Sequence, residues 1–162
     1  MFDVNSFVKQ PIQGSMSTRY VTPPEGDFNL MLDSRNLDVT KWFTSGIAQK
    51  GQNAGNEYVT FEIPMEILDD KVRQALNQDH VYSRYKGFLD FAPDGSLDFS
   101  EGKNVKIGRL REALNQNDPN VPWDPSQLAL ASGTIFKGHL KHTPNKDDPT
   151  APFSEISRVT KA

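Results

Sequence analysis

Residues 102–117, GKNVKIGRLREALNQN, decide how the fold is interpreted, because they contain the clearest helical pattern in a chain that otherwise alternates like β-strands. Ile107, Leu110 and Leu114 recur at the spacing of one helix face and form an apolar stripe. Three of the four cations of the segment lie on other sides of this helix: Lys106, Arg109 and Arg111. We expect the stripe to close a hydrophobic core and the cations to face solvent.

Strand-like segments lie on both sides of this helix. Three precede it and two follow it: residues 28–32, 58–68, 80–91, 133–142 and 153–159. A short extra helix is predicted near residues 69–76. Five strands with one helix between the third and the fourth is the arrangement of an OB-type barrel, in which the helix closes one end. The sequence therefore predicts a mainly β fold, a five-stranded OB-type barrel with one helix between strands 3 and 4.

The remaining segments are predicted as an arm and a long loop. Residues 1–22 show little periodicity and are followed by two prolines, so we expect an N-terminal arm ahead of a single OB-like β-barrel domain over residues 23–162. Residues 34–56 contain several glycines and are predicted to be a long, flexible excursion. Pro64 cannot donate to a strand ladder, so we expect the second strand to lie at an edge or to be bulged there.

The composition is that of a globular protein rather than a disordered or membrane-embedded one. The 162 residues carry a net charge of −3 and no cysteine, and the mean hydropathy is −0.60. Lack of cysteine removes disulfides, thiolate catalysis and cysteine-ligated zinc, and it fits a reducing compartment. Because the N-terminus also lacks a secretory pattern and no apolar run could cross a bilayer, we expect a cytoplasmic location without membrane association.

One face of the third predicted strand carries the strongest functional pattern. Tyr82, Arg84, Lys86 and Phe88 alternate with core positions, so two rings and two cations share the exposed side. Rings stack on bases and cations follow phosphates, which is what binding of single-stranded nucleic acid requires. In an OB-type barrel we expect the fourth strand and two loops to add further residues to this surface: Lys137, Lys141, Lys41, Trp42 and Lys146.

Two alternatives explain the same pattern without nucleic acid. In the first, the two cations pair with Glu62 and Glu66 on the neighbouring strand. In the second, the two rings are covered by the N-terminal arm or by another subunit. Spacing alone leaves both alternatives open.

No catalytic or metal-binding pattern accompanies these residues in the sequence. Residues 90–101 match several ligand positions of an EF-hand calcium loop, but Ala92 offers no side-chain oxygen at the third position. His139 and His142 would lie on opposite faces of a strand, and no serine has the base and acid of a catalytic triad. We therefore expect a non-enzymatic protein without a metal or cofactor.

Three motifs carry a resemblance to a known family: PEGDF at residues 24–28, FLD and GSLD within residues 88–98, and the segment 102–117. Over about residues 23–160 the chain resembles small phage-encoded proteins that include single-stranded-DNA-binding proteins. The resemblance implies an OB-type barrel and a role in phage DNA replication or recombination. It also implies the cytoplasm of an infected bacterial host as the location.

Pattern and resemblance together predict a protein that binds single-stranded DNA without sequence preference, by base stacking and phosphate contacts. Self-association and contacts with phage replication or recombination proteins are left open. The alternative is a phage structural or interaction protein, for example a β-sandwich component of a virion or of its assembly, that does not bind DNA. An accessory protein that inhibits or recruits a nuclease or recombinase fits the same sequence.

Overall fold

The structure, a computed structural model, describes residues 1–18 and 20–162. Strands make up most of its regular structure: β1 (Gly26–Leu32), β2 (Phe43–Ile47), β3 (Glu57–Ile67), β4 (Val81–Phe88), β5 (Phe136–Thr143) and β6 (Phe153–Lys161). The α-helices of the described residues are α1 (Val4–Phe7), α2 (Asp70–Leu76) and α3 (Val105–Ala113), and 3₁₀ helices cover Val39–Trp42 and Pro125–Ala131. The fold is mainly β, as the sequence predicts.

Five of the described strands form a ring. The order in the sheet is β1-β5-β6-β4-β3-β2, and a further pairing between β1 and β3 joins the two ends of the five-strand part. Neighbours in the ring are antiparallel except β4 and β6, which run parallel where Tyr85 lies opposite Ile156. In chain order, α3 lies between the third and the fourth strand of this ring.

The segment between β1 and β3 differs from its prediction. Residues 34–56 contain a 3₁₀ helix and β2, and β2 pairs with residues 57–61 of β3. Two of the glycines serve the turn that follows β2, where Gly51 and Gly55 have positive φ and the Gly55 N–H donates to the Ala48 carbonyl at 2.8 Å. The predicted flexible excursion is therefore a hairpin that extends the sheet beyond the ring.

Pro64 lies inside β3, which is not an edge strand. On one side β3 pairs with β4, and on the other it pairs with β2 before Pro64 and with β1 after it. The missing N–H therefore falls where the partner strand changes, and the Pro64 carbonyl accepts a hydrogen bond from the Asp33 N–H at 3.0 Å. The predicted edge or bulge is wrong, because the change of partner accommodates the proline.

The alternating pattern of the ring strands places one apolar row of each strand inside the ring. These side chains are fully or almost fully buried: Leu30, Leu32, Phe61, Ile63, Met65, Ile67, Val81, Tyr85, Phe136, Leu140, Ile156 and Val159. Burial of one large apolar side chain stabilises a fold by about 1.5–3 kcal/mol. The inward rows therefore supply the main stabilisation of the ring.

α3 packs its predicted apolar stripe onto this core. Ile107, Leu110 and Leu114 are buried, and the Lys106 carbonyl accepts a hydrogen bond from the buried Tyr85 hydroxyl at 2.9 Å. The helix ends at Ala113.

A membrane-spanning helix is not found in the described residues, because their helices are too short and too polar for one.

α3 is shorter at its N-terminal end than the predicted segment 102–117. Asn104 has a φ of 52°, and its side-chain amide donates to the carbonyls of Asp90 at 2.8 Å and Asp98 at 3.0 Å. This conformation lies outside the right-handed helical region. Residues 102–104 therefore form a turn that ties the acidic loop to the start of the helix.

The predicted N-terminal arm lies on the outside of the ring. Residues 1–18 are exposed, and α1 has no buried residue. Thr22 contacts the body of the protein, because its hydroxyl donates to the Pro152 carbonyl at 2.8 Å, and the next residue, Pro23, is buried. The boundary predicted between the arm and the domain, at residues 22–23, stays a prediction.

Candidate nucleic-acid interface

The outer side chains of β2, β3 and β4 form one continuous surface, which we call the β3–β4 face. The register places Tyr82, Arg84, Lys86 and Phe88 of β4 opposite residues 66, 64, 62 and 60 of β3. Arg84, Lys86 and Phe88 are exposed and Tyr82 is half-buried, whereas the intervening side chains of β4 point inward. The predicted outward row on this strand is confirmed.

The two cations of this row share one carboxylate. The Arg84 Nη1 atom lies 2.6 Å from Glu62 Oε1, and the Lys86 Nζ atom lies 3.5 Å from the same oxygen. The hydrogen bond from Arg84, aided by the charge of Lys86, lowers the pKa of the Glu62 carboxyl. The pairing expected under the first alternative is therefore present for Glu62.

Glu66 does not take part in this pairing. Its side chain is buried, and its Oε1 atom lies 2.8 Å from His80 Nδ1 while its Oε2 atom lies 3.7 Å from Arg73 Nη2. Glu66 lies opposite Tyr82, one step beyond the two cations of β4. The expectation that Glu66 pairs with Arg84 or Lys86 is wrong, because α2 and the residue before β4 supply its partners.

The rings of the face differ in how open they are. Phe88 is 68% exposed, and its ring meets the Tyr58 ring of β3 edge to face, with 6.3 Å between the ring centres. Tyr82 instead has the guanidinium carbon of Arg35 at 3.6 Å from its ring centre, and burial raises the pKa of its hydroxyl. Phe88 and Tyr58 therefore form the open aromatic pair.

Trp42 belongs to the core. Only 3% of its surface is exposed, and its indole N–H donates to the Asn36 carbonyl at 2.9 Å. The expectation that Trp42 stacks on bases is wrong, because the 3₁₀ helix before β2 turns its ring inward.

Lys41, the residue before Trp42, is exposed, and its Nζ atom lies 3.9 Å from Asp38 Oδ2. It lines the same depression of the face as Arg35 and Arg84.

The predicted lysines of β5 lie on another part of the ring. Lys137 and Lys141 are exposed, as the alternation predicts, but β6 separates β5 from β4. Glu155 of β6 lies opposite Lys141 in the register. Lys146 is exposed in the loop between β5 and β6, beside Asp147. The structure therefore places one strand between the two lysines of β5 and the cations of β4, whereas Lys146 lies in the loop that follows β5.

The sequence alone does not predict several of the residues at the β3–β4 face. Lys106 of α3 donates from its Nζ atom to the Lys86 carbonyl at 2.6 Å and borders a depression together with Lys86 and Phe88. Phe153 at the start of β6 is 57% exposed and borders the same depression as Arg84 and Lys86. Helix and strand periodicity assign both residues to outer surfaces but do not indicate which surface. Arg35 carries no sequence signal, because it lies in a loop.

The acidic loop of residues 90–101 uses its carboxylates for local hydrogen bonds. Asp94 accepts from the Ser96 N–H at 2.9 Å, and Asp98 accepts from the Ser100 N–H at 2.8 Å. Among the described residues, no group of three or more acidic or histidine side chains is arranged to hold a metal ion. The carboxylates that resemble calcium ligands in sequence therefore stabilise turns.

Comparison with protein-family models, with curated proteins and with solved structures gives no match to this chain. The case for a function therefore depends on the geometry of the β3–β4 face.

Proposed function

We propose that the five-strand ring is an OB-type barrel. Its closed pairing of β1, β3, β4, β5 and β6, with α3 between the third and fourth of them, supports this assignment. In OB-folds the second and third strands, with the loops after strands 1 and 4, bind oligonucleotides. The corresponding parts here are β3, β4, residues 33–56 and residues 144–152.

On this surface we propose that the chain binds single-stranded DNA. The observation that carries the proposal is the outward row of β4, in which Arg84 and Lys86 lead to the open ring of Phe88. Tyr58 and Lys106 enlarge this row with a second ring and a further cation. Alternating cations and rings match the phosphates and bases of a flexible strand.

The proposed binding needs no bond-making chemistry and no cofactor. Bases stack on Phe88 and Tyr58, and each stacked base contributes about 1–3 kcal/mol irrespective of its sequence. Arg84, Lys86 and Lys106 attract the phosphates between them. Together with the resemblance to phage proteins, this supports a role in phage DNA replication or recombination, in the cytoplasm of the infected cell.

The first test is a titration of a fluorescently labelled oligo-dT with the protein at low salt, followed by anisotropy. We expect saturable binding that weakens with a log–log salt slope of about −0.7 for each phosphate contacted. Lack of binding at low salt would refute the proposal. Lys86→Ala should weaken binding, whereas the matched variant Lys137→Ala should not, since Lys137 lies beyond β6.

A second candidate function is a structural or assembly protein. The apolar residues of the N-terminal arm favour it, because a monomer leaves them in water: Met1, Phe2, Val4, Phe7, Val8, Ile12 and Met16 are all exposed. Exposed apolar segments of this kind often mark protein contacts. This candidate predicts a stable assembly whose mass, measured by light scattering, does not change when oligo-dT is added.

A further inference from the structure

The carboxylate of Glu62 lies at the centre of the β3–β4 face. It is opposite Lys86 in the register, and its Oε1 atom is within 2.6 Å of Arg84 and 3.5 Å of Lys86. The side chains of all three residues are between 42% and 62% exposed, so the cluster is open to an approaching ligand. Both cations of the β4 row are therefore paired with the same acidic oxygen.

A carboxylate in this position resembles a phosphate oxygen. Guanidinium groups bind carboxylates and phosphates through the same charge-assisted N–H donors. A phosphodiester that approached between the rings of Phe88 and Tyr82 would seek these donors on Arg84 and Lys86. In the structure, Glu62 already accepts a hydrogen bond from Arg84 Nη1 and forms an ion pair with Lys86.

We propose that Glu62 is a built-in competitor of the phosphodiester backbone, which a bound strand must displace from Arg84 and Lys86. The inference rests on the proposed binding of single-stranded DNA at this face and adds its regulation. Glu62 is part of the same chain as Arg84 and Lys86, so its carboxylate has a high effective concentration beside them. Small free anions therefore compete poorly with Glu62 for these two cations. A polymer whose bases also stack on Phe88 has the additional contacts needed to replace it.

A purely stabilising ion pair is the competing explanation for this geometry. Exposed pairs of this type contribute little to folding, so Glu62→Gln should leave the thermal midpoint almost unchanged under either explanation. The two explanations differ in their effect on binding. If Glu62 competes with the phosphates, it weakens the binding of single-stranded DNA, and its removal strengthens that binding. If the ion pair only stabilises the fold, removal of Glu62 leaves the affinity of the folded protein for DNA unchanged.

The test measures the affinity of the full chain for labelled oligo-dT in the wild type, in Glu62→Gln and in the control Glu155→Gln. Glu155 borders the same depression, so its replacement changes the local charge equally without removing the contact to Arg84. We expect Glu62→Gln to tighten binding about threefold to tenfold, and Glu155→Gln to change it less than twofold. Equal effects of the two variants would overturn the inference.

A double-mutant cycle sharpens the test. In an Arg84→Ala background the gain from Glu62→Gln should largely disappear, because the competition acts through Arg84. An undiminished gain would show a general charge effect and would also overturn the inference. Binding by the wild type without tightening in Glu62→Gln refutes this inference alone, whereas lack of binding by both proteins at low salt refutes the proposed function with it.

Discussion

The guanidinium carbon of Arg35 lies 3.6 Å from the centre of the Tyr82 ring, and the same guanidinium donates to both carboxylate oxygens of Asp33 at 3.1 Å. Asp33 is buried, so Arg35 is anchored to the core side of the loop while it covers one face of the ring. Of the two predicted stacking rings of β4, this leaves Phe88 as the open one.

Phe88→Ala should therefore weaken the binding of oligo-dT by about 1–3 kcal/mol, which corresponds to about 5-fold to 150-fold in affinity. Phe99→Ala is the matched control, because Phe99 is even more exposed but lies beside α3. Anisotropy titrations of both variants against the wild type give the comparison. Equal affinity of the two variants would rule out Phe88 as a stacking residue.

The buried hydroxyl of Tyr85 gives a pH-dependent prediction. Burial raises its pKa to about 12, from the value near 10 of an exposed tyrosine. The folded state therefore favours the neutral phenol, and its contribution to stability is present below pH 10 and is lost as the pH rises above that value.

At pH 7, Tyr85→Phe should lower the free energy of unfolding by about 1 kcal/mol, because the hydrogen bond to the Lys106 carbonyl is lost. At pH 11 the difference between the two proteins should shrink, since only the wild type must keep this phenol protonated. Urea unfolding at both pH values measures the two differences. A difference that stays constant with pH would contradict the assigned burial of the hydroxyl.

Two glycines in different environments predict opposite effects on stability. A methyl group at Gly138 of β5 would overlap a side-chain methyl of the buried Leu30 and lie 3.3 Å from the Arg158 carbonyl oxygen. We expect Gly138→Ala to cost about 1–3 kcal/mol, because neither neighbour can move without disturbing the ring. Thermal unfolding provides the measurement.

Gly108→Ala serves as the opposite case within α3. Apart from its chain neighbours and the backbone of its own helix, no heavy atom lies within 4 Å of the position of the added methyl group, and alanine favours helices more than glycine does. The variant should gain about 0.5–1 kcal/mol. Destabilisation of both glycine variants to the same extent would argue against the packing described for β5.

Removal of residues 1–18 should leave the thermal midpoint of the remaining chain unchanged within about 1 °C, because all of these residues are exposed and none belongs to the buried core. A fall of several degrees would show that the arm packs on the domain. If the second candidate function holds, the same deletion reduces the mass measured by light scattering, because the apolar side chains of the arm then form the contact between copies.

For the strands and the helix that it predicted, the sequence was sufficient to identify the side that faces the core. In β4 the alternation identified Tyr85 as an inward residue and Phe88 as an outward one, and in α3 the spacing of Ile107 and Leu110 identified the face that closes the core. These predictions succeed because a strand repeats every two residues and a helix every 3.6, so a local pattern determines a local direction.

The neighbours of each outward row were decided only by the tertiary structure. Lys137 and Arg84 both point outward, yet β6 comes between their strands through a pairing of Tyr85 with Ile156, residues 71 positions apart in the chain. Likewise, Trp42 lies in the core, at the end of the 3₁₀ helix that leads into the hairpin of β2 and β3. Local periodicity does not predict such long-range pairings, because they depend on which strands bury the most apolar surface together.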